Sequence, residues 1–389
     1  MKLSGVKVLD LSAFLPGPHM TMMMADHGAD VVMIEPANAV GEPTREIGWK
    51  TGDGVSVWFR NIARGKRSLK VNLKDPAGQK LVQELAKEAD VFVEAFRPGV
   101  VKRLGVDYET LKAINPRLVY CSISAFGQEG AYAAKPAHDL TVQALAGLVD
   151  LNRGLDDGKP ASPNLPVADM AASLMAMSAI LMALYRRHET GRGDYIDMAM
   201  YDAALSWTPN VTGPVFAENA HPPVKDMRSF GGAAMYHVYE TKDGRFLVLG
   251  GSEAKFTENL LTALGRPDLI AVALQEPGPK QEPVRAFFRE TFASRTLEEW
   301  AAFLKGVDCC WGPVRTLKDA FDDPHTAARG LVFPDADGHR HIGMPIRFSD
   351  EPGAPDPSVP GFGEHSEDLA RAAGFSEAEI ADLIARKVI

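Results

Sequence analysis

Asp169 and His138 are ionisable side chains of types that can carry out proton or covalent chemistry. Asp169 opens a long apolar segment, and His138 lies 31 residues before it. Histidine exchanges protons near neutral pH, and a carboxylate can act as acid, base or nucleophile. The same positions also fit structural roles, because Asp169 can cap a helix and His138 can bond its neighbour Asp139. Residue type alone leaves both interpretations open.

The chain has none of the common cofactor or metal motifs. There is no G-x-G-x-x-G after a strand, no P-loop, no C-x-x-C and no H-E-x-x-H, and the histidines are scattered. Three cysteines, of which Cys309 and Cys310 are adjacent, cannot form a disulfide framework. We therefore expect no metal site and a reducing, cytoplasmic location.

Composition sets the broad class of the protein. With 46% hydrophobic and 24% charged residues, the chain of 389 residues can bury a large core, and its length suggests two domains or more. The net charge of −9, with no dense basic run, argues against a nucleic-acid partner. The most apolar stretch, 174–184, is shorter than the ~20 residues that span a bilayer, so we expect no membrane partner.

Strands and helices alternate through the first half of the chain. Strands are predicted at 6–11, 31–35, 91–94 and 118–123, and helices at 20–26, 74–89, 108–114 and 169–188. The type of 194–200 stays open between a strand and a helix start. This alternation predicts an α/β fold with a parallel, doubly wound sheet.

The second half has a different character. A segment rich in Pro, Asn and Gly at 208–225 precedes a predicted hairpin at 236–249 and helices at 255–264, 284–292 and 297–304. We interpret this part as a smaller α+β domain, and 348–361 as a surface strap.

Several segments, read in order, resemble the family III CoA-transferases of the carnitine and bile-acid type, which include the α-methylacyl-CoA racemases. The resemblance covers nearly the whole chain, and the order and spacing of its segments carry it. These segments are 5–11, 16–18, 28–36, 64–68, 96–99, 103–105, 115–120, 167–169 and 190–193.

The resemblance implies an architecture for the whole chain. A large Rossmann-like domain would comprise 1–207 and the returning segment 331–389. A linker at 208–224 would lead into an inserted small domain at 225–330. Two chains would interlock as a homodimer.

The resemblance also implies roles for individual residues. Asp169 would be the essential carboxylate, His138 would match the histidine of the racemases, and Glu253 would match a glutamate that acts beside it. The plain alternative for Glu253 is an exposed residue at a helix start. A coenzyme A thioester would be the substrate, a free carboxylic acid would be a possible second one, and no cofactor would be permanently bound.

The turn after the first strand and five cations match segments that contact CoA in the family. A turn in that position is where a doubly wound sheet receives its ligand, and cations suit the CoA phosphates. Ordinary surface solvation is the alternative for each cation. The residues are Phe14, Leu15, Arg64, Lys66, Arg67, Arg97 and Arg103.

Three activities remain open on these residues. In a racemase, Asp169 and His138 would act on opposite faces of the α-carbon; in a transferase, Asp169 would form a covalent aspartyl-CoA thioester. The segments 142–147 and 167–169 favour the transferase, whereas 239–244 lacks the transferase glycine-rich loop, and we favour the racemase. The third alternative is a CoA-binding protein without catalysis.

Overall fold

The computed structural model describes residues 1–37, 40–154 and 158–389. They divide into two compact units. The first comprises Met1–Leu148, Pro163–Trp207 and Pro324–Ile389, and the second comprises Val149–Ser162 and Thr208–Asp323, each without the undescribed residues inside those ranges.

A six-stranded parallel sheet forms the centre of the first unit. Its strands run in the order β3-β2-β1-β4-β5-β6, so the order reverses between β1 and β4. The prediction of an α/β fold around a parallel sheet is therefore confirmed. The strands are β1 (Lys7–Leu11), β2 (Asp30–Pro36), β3 (Arg67–Val71), β4 (Val91–Glu94), β5 (Val119–Ser124) and β6 (Tyr195–Ala199).

Helices cover both faces of this sheet. One face packs against α1, α8 and α9 through Val8, Val91 and Val119, and the other packs against α3, α5, α17 and α18 through Leu9 and Phe92. Successive strand residues point to opposite faces, and both faces are covered, which explains why β2, β4 and β5 are largely apolar. Strand β3, which carries Arg67 and Lys70, was not predicted from the sequence. The helices of this unit are α1 (Pro16–Asp26), α2 (Val57–Ala63), α3 (Pro76–Ala86), α4 (Val100–Arg103), α5 (Tyr108–Ile114), α6 (Asp139–Leu145), α8 (Val167–Thr190), α9 (Met200–Ser206), α16 (Pro324–Ala328), α17 (Ser366–Ala372) and α18 (Glu377–Ala385), and α7 (Leu148–Leu151) leads into the second unit.

Helix α8 is the longest helix of the described residues, and it ends at Gly191, whose φ of 67° only glycine adopts readily. By length and composition α8 could cross a membrane. The sequence stretch 174–184 was too short for this, but the helix extends beyond that stretch at both ends. Its alanine-rich side, however, packs against α1, α6, α9, β5 and β6. We therefore interpret α8 as a helix of the first unit that packs on the core along one side and is exposed along the other.

The second unit is built on an antiparallel sheet of β7 (Tyr236–Glu240), β8 (Phe246–Gly250) and β9 (Trp311–Pro313), in the order β7-β8-β9. Tyr239, Phe288, Phe292 and Trp300 are buried together in its core. Its helices are α10 (Gly213–Glu218), α11 (Ala254–Ala263), α12 (Ile270–Ala273), α13 (Glu282–Phe292), α14 (Leu297–Leu304) and α15 (Leu317–Phe321).

The unit boundaries differ from the expected ranges in three places. Residues 149–162 join the second unit, where Asp150 pairs with His221. The second unit begins at Thr208, because the expected linker contains α10, and it ends at Asp323 rather than at 330.

In the C-terminal part of the first unit, α16 is followed by a small hairpin of β10 (Val332–Pro334) and β11 (Arg340–Ile342). Residues 348–361 then contain neither helix nor strand. Backbone hydrogen bonds from Ala354 to Asp26 and from Gly65 to Ser358 fix this segment along the unit, so it runs as the predicted strap.

Candidate active site

A cavity of about 400 Å³ opens in the first unit at the point where the strand order reverses. In open α/β sheets, ligands bind at this switch point, beyond the carboxyl ends of the strands. The wall is made by residues that follow β1, β4 and β5 and by residues around the starts of α6, α8 and α9. The lining residues are Ala13, Phe14, Pro16, Ala95, Phe96, Arg97, Pro98, Ile123, Ser124, Ala125, Ala133, Lys135, Pro136, Ala137, His138, Thr141, Asp169 and Met200.

Asp169 is the third residue of α8, and its side chain does not cap that helix. The carboxylate of Asp139 does so, because its Oδ1 accepts hydrogen bonds from the backbone N–H groups of Ala168 (2.8 Å) and Asp169 (3.1 Å). Among the described residues, the carboxyl of Asp169 itself makes no hydrogen bond. The helix-cap interpretation of Asp169 is therefore wrong for this structure, and its carboxyl is left available to a ligand.

The surroundings of Asp169 favour its protonated form. Burial and the neighbouring Asp139 carboxylate raise the pKa of Asp169 to about 7. Both effects disfavour a second negative charge at the helix start. Asp169 can therefore gain and lose a proton close to neutral pH, which is the property of an efficient acid/base group.

His138 precedes α6 directly and lies at the cavity wall. Its ring meets the ring of Phe14 edge to face, with centroids 5.4 Å apart. The carboxylate of Asp139 accepts hydrogen bonds from the backbone at the start of α8 and from the side chain of Gln143. The predicted alternative of a His138–Asp139 hydrogen bond is not observed. Because Asp139 starts α6 and caps α8, it sets His138 and Asp169 on the same cavity.

Phe14 adopts a left-handed backbone conformation, with φ of 66°, which is uncommon for a non-glycine residue. Its N–H donates to Oε1 of the buried Glu42 at 3.0 Å. Strained residues of this kind persist where their surroundings hold them, and they cluster at functional sites. Leu15, its predicted companion, caps α1 through its backbone and does not line the cavity.

The predicted CoA-contacting cations fall into two groups. Arg97 lines the cavity, and Arg103 is exposed one turn beyond the same loop. Arg67, partly exposed, pairs with Asp30 at the opposite end of the sheet. None of the lining residues is Arg64, Lys66 or Arg67.

Arg64 and Lys66 are buried and engaged within the protein. Arg64 forms a bidentate ion pair with Asp26. The Nζ of Lys66 donates to Asp10, to the carbonyl of Pro18 and to Thr21, at 3.2, 2.8 and 2.8 Å. These contacts use all three ammonium hydrogens. Direct binding of CoA by Lys66, which stays a prediction, would require this network to open.

Glu253 belongs to the second unit, where it is exposed at the start of α11. Its side chain does not cap that helix. Its role beside His138 stays a prediction from the resemblance.

Sequence reasoning missed several polar residues at the cavity. Lys135 supplies a second cation to the wall. Ser124, at the end of β5, is 8% exposed, and its Oγ has no hydrogen-bond partner among the described residues. Position after a strand of a parallel sheet was the available signal for Ser124, whereas its missing partner is visible only in three dimensions.

Glu94 is a buried acid at the end of β4, directly before the cavity loop. Its Oε2 accepts the N–H of Phe96 at 2.8 Å, which fixes the loop that carries Arg97. Burial raises the pKa of Glu94 to about 7. At neutral pH Glu94 is therefore only partly ionised, so it holds this loop without adding a full charge.

His19 connects α1 to α8 one turn below Asp169. Its Nδ1 lies 2.9 Å from Oγ of the buried Ser173. Burial, together with the charges of Lys66 and Arg64, lowers the pKa of His19 to about 4. A neutral His19 therefore ties the two helices together without competing for protons at physiological pH.

Comparison with known proteins places the chain in a family. Residues 3–366 match the family described as CoA-transferase family III. The chain is 32% identical to mouse succinyl-CoA:glutarate CoA-transferase, over 85% of the chain and 76% of that protein. It is 31% identical to human alpha-methylacyl-CoA racemase, over 100% of the chain and 98% of that protein.

A solved structure agrees with this match. The crystal structure of a CAIB/BAIF family protein from Brucella suis has a TM-score of 0.83 and 32% identity, covering 95% of this chain and 99% of that one. The similar proteins carry the names of CoA-transferases and of racemases, so the chain is an enzyme of this group. The chain belongs to CoA-transferase family III.

Proposed function

We propose that the enzyme is a racemase or epimerase of 2-methylacyl-CoA thioesters, working by proton transfer between Asp169 and His138. One observation carries the proposal: both side chains line the same cavity, and the carboxyl of Asp169, whose pKa is raised to about 7, makes no hydrogen bond with the described residues. An acid/base pair needs groups that are free to exchange protons near the working pH.

The reaction inverts the α-carbon without net consumption of protons. The thioester acidifies the α-hydrogen, and one group of the pair removes that proton from one face. The other group then donates its own proton to the opposite face of the enolate. After one turnover the two groups have exchanged protonation states, and the reverse reaction restores them.

The enolate oxygen needs hydrogen-bond donors, and we assign this role to the lining residue Ser124 and to two N–H groups that lie beside the lining residue His138 in sequence. The N–H groups of Asp139 and Leu140 open α6 directly after His138, and neither donates to an acceptor among the described residues. Ser124 lines the cavity, and its buried hydroxyl has no hydrogen-bond partner among the described residues. Preorganised donors of this kind stabilise developing negative charge.

Arg97 and Lys135 are the cavity cations that we assign to the CoA phosphates, with the exposed Arg103 beyond them. Cation–phosphate hydrogen bonds are stronger than neutral ones. The net charge of −9 makes such a local basic patch necessary for an anionic substrate. No permanently bound cofactor enters this scheme, since the thioester itself supplies the acidity.

CoA transfer is the second candidate, and the relatives named CoA-transferases favour it. The Asp169 carboxylate would attack the donor thioester and release CoA thiolate, leaving an acyl-aspartyl anhydride. The thiolate would then displace the donor acid to give an aspartyl-CoA thioester. The acceptor acid would take CoA from it and regenerate the carboxylate. This route needs Asp169 but no proton carrier at His138.

We also propose a homodimer located in the cytoplasm. Helix α8 leaves large apolar side chains exposed in the single chain, with Met182 and Tyr185 at 70% and 76%. Exposed apolar surface of this kind marks an association site. The interlocked arrangement implied by the sequence resemblance would cover it.

Deuterium exchange tests the proposal. The enzyme is incubated with a 2-methylacyl-CoA in deuterated water, and the thioester is analysed by mass spectrometry and chiral separation. We expect α-deuterium incorporation with loss of optical purity, and a ~10²–10⁴-fold lower rate in His138→Ala. His188→Gln, an exposed histidine on α8, is the matched control and should retain the wild-type rate.

The opposite result is equally specific. Absence of deuterium exchange, together with CoA movement to a free acid at a near-normal rate in His138→Ala, would establish the transferase. Hydroxylamine trapping of an acylated or CoA-bound Asp169 would identify its covalent intermediate.

A further inference from the structure

A buried glutamate holds the turn after β1 from outside the cavity. Glu42 is 4% exposed and does not line the cavity, yet its Oε1 accepts the N–H of Phe14 at 3.0 Å. The same oxygen accepts the N–H and the hydroxyl of Thr44, at 3.3 and 3.0 Å. Among the described residues, Glu42 is the acceptor of the Phe14 N–H, so loss of this carboxyl would leave that donor without a partner in the protein.

Phe14 needs such a holding contact because of its backbone. Its φ of 66° lies in the left-handed region, which disfavours residues with a Cβ. A conformation of this kind persists only where the surroundings fix it. The backbone angles decide where the Cβ points and which rotamers are allowed. Relaxation of Phe14 would therefore move its ring away from its present place on the cavity wall.

Glu42 is itself fixed to the sheet. Its N–H donates to Oε2 of Glu35, a residue of β2 that is 1% exposed, at 2.9 Å. Arg45 binds both carboxylate oxygens of Glu35, at 2.7 Å each, and its guanidinium lies 4.1 Å from the centre of the Phe59 ring. The acceptor that holds Phe14 is therefore anchored on β2.

The ring of Phe14 in turn contacts the proposed proton carrier. It stands nearly perpendicular to the imidazole of His138, at 82°, with the centroids 5.4 Å apart. In the part of the chain that the structure describes, the His138 side chain makes no hydrogen bond, and it does not cap α6. Packing contacts such as the one with Phe14 therefore set the direction of the imidazole.

We propose that Glu42 is a positioning residue of the racemase reaction: it fixes the Phe14 turn, and the Phe14 ring then orients His138 toward the α-carbon. The inference rests on the proposed function, because His138 carries a proton only in that mechanism. The role needs a hydrogen-bond acceptor rather than a charge. Burial raises the pKa of Glu42, although its three hydrogen bonds oppose this shift, so a neutral acceptor is compatible with the site.

Two substitutions of similar shape test this role through the racemisation of a 2-methylacyl-CoA, followed by chiral separation. Glu42→Gln keeps a carbonyl oxygen for Phe14, whereas Glu42→Met replaces the carboxyl with a thioether, a weak acceptor. In Glu42→Met we expect kcat to fall by ~10–100-fold with little change in KM, because misplacing a catalytic group by ~1 Å can cost ~10²-fold. Glu42→Gln should keep most of the rate. Glu46→Met, at an exposed glutamate of the same loop, is the matched control and should keep the wild-type rate.

The His138→Ala background shows whether Glu42 acts through His138. His138→Ala alone should slow racemisation, and adding Glu42→Met should lower the rate little further, because coupled residues are not additive. Histidines labelled with ¹³C report the geometry without turnover. The His138 signal, assigned by its loss in His138→Ala, should shift in Glu42→Met as the Phe14 ring moves, and it should stay in place in Glu42→Gln.

The outcomes separate this inference from the proposed function. A near-normal rate in His138→Ala would overturn both. With His138 required, the inference alone is overturned if folded Glu42→Met keeps the wild-type rate or the wild-type His138 signal, if its loss is equally large in the His138→Ala background, or if Glu42→Gln loses as much. Should circular dichroism show that Glu42→Met does not fold, Phe14→Leu removes the ring while the N–H and its acceptor remain. Its loss should depend on His138 in the same way, and an equal loss in both backgrounds would contradict the link.

Discussion

The polar groups around the cavity and those beneath α1 differ in how they are partnered. Beneath α1, Asp10, Lys66 and Thr21 form a closed buried network. At the cavity, the carboxyl of Asp169 and the hydroxyl of Ser124 have no hydrogen-bond partner among the described residues. An unpartnered polar group that is withdrawn from water destabilises a folded protein, and we propose that these two groups are kept for the substrate.

The predicted cations also divide between these two regions, with Arg97 at the cavity and Lys66 beneath α1. Segments 64–68 and 96–105 both contribute to the family resemblance, yet of the two only the second contains residues that line the cavity. The first fixes the strand and helix that carry Phe14. Similarity to a family therefore identifies segments, whereas burial decides whether a charge meets the substrate or the scaffold.

The largest effect is expected at Asp169. Asp169→Asn should lower turnover by ~10²-fold or more, because both candidate mechanisms need the carboxyl. CoA affinity should stay within a few-fold, since the phosphates do not contact this group in either scheme. Steady-state kinetics and CoA titration measure the two quantities. More than about a tenth of the wild-type rate in the variant would remove Asp169 from the chemistry.

Whereas Asp169→Asn is expected to lower turnover, Lys66→Met should lower the free energy of unfolding by a large amount. It leaves the buried Asp10 without its cation, and breaking a buried pair costs ~3–5 kcal/mol of unfolding free energy. Urea unfolding measures this quantity. Arg67→Gln removes a partly exposed pair and serves as the control, with an expected loss of ~1 kcal/mol or less. Equal losses in the two variants would contradict the distinction between the networks.

Arg97→Gln should raise KM for the CoA thioester by roughly tenfold, which matches ~1.5 kcal/mol for a hydrogen bond to a charged group. The exposed side chain contributes little to the fold, so the midpoint of unfolding should not change. Arg103→Gln is the matched comparison. Arg103 lies outside the cavity wall, so the KM of this variant should rise less than that of Arg97→Gln. An unchanged KM in Arg97→Gln would place the phosphates elsewhere.

The smallest effect concerns Glu94 and pH. Its folded pKa of about 7 lies above the ordinary value of a glutamate, so the folded state retains a proton that the unfolded state releases. The resulting stability is fully present below about pH 4.5 and is lost as the pH rises through about 7. Glu94→Gln removes this dependence, so its Tm relative to wild type should rise by a few degrees between pH 5 and pH 8.

Differential scanning measurements at several pH values test this expectation. Glu129→Gln, an exposed residue before α6, is the control and should follow the wild type at every pH. A Glu94→Gln curve parallel to that of the wild type would show that Glu94 does not hold the proton.

The sequence predicted four of the six strands of the parallel sheet, because β1, β2, β4 and β5 are buried on both faces and appear as largely apolar runs. It missed β3, whose sequence alternates polar and apolar residues. It left 194–200 undecided, where β6 passes directly into α9. The position of Asp169 at a helix start was foreseen, but its freedom from capping was not, since the cap comes from Asp139 about thirty residues earlier. Such long-range contacts leave no periodic pattern in the sequence.

The carboxylate of Asp139 fixes the start of α8 independently of its neighbour at position 138. It holds α8 through the backbone of residues 168 and 169, so the placement of Asp169 does not depend on which side chain stands at position 138. Position 138 is the N-cap of α6, and the His138 side chain makes no capping hydrogen bond there. On the proposed mechanism, an exchange at position 138 would remove the proton carrier while the carboxyl of Asp169 stays in place. The two candidate activities would then differ at one side chain and share the rest of the site.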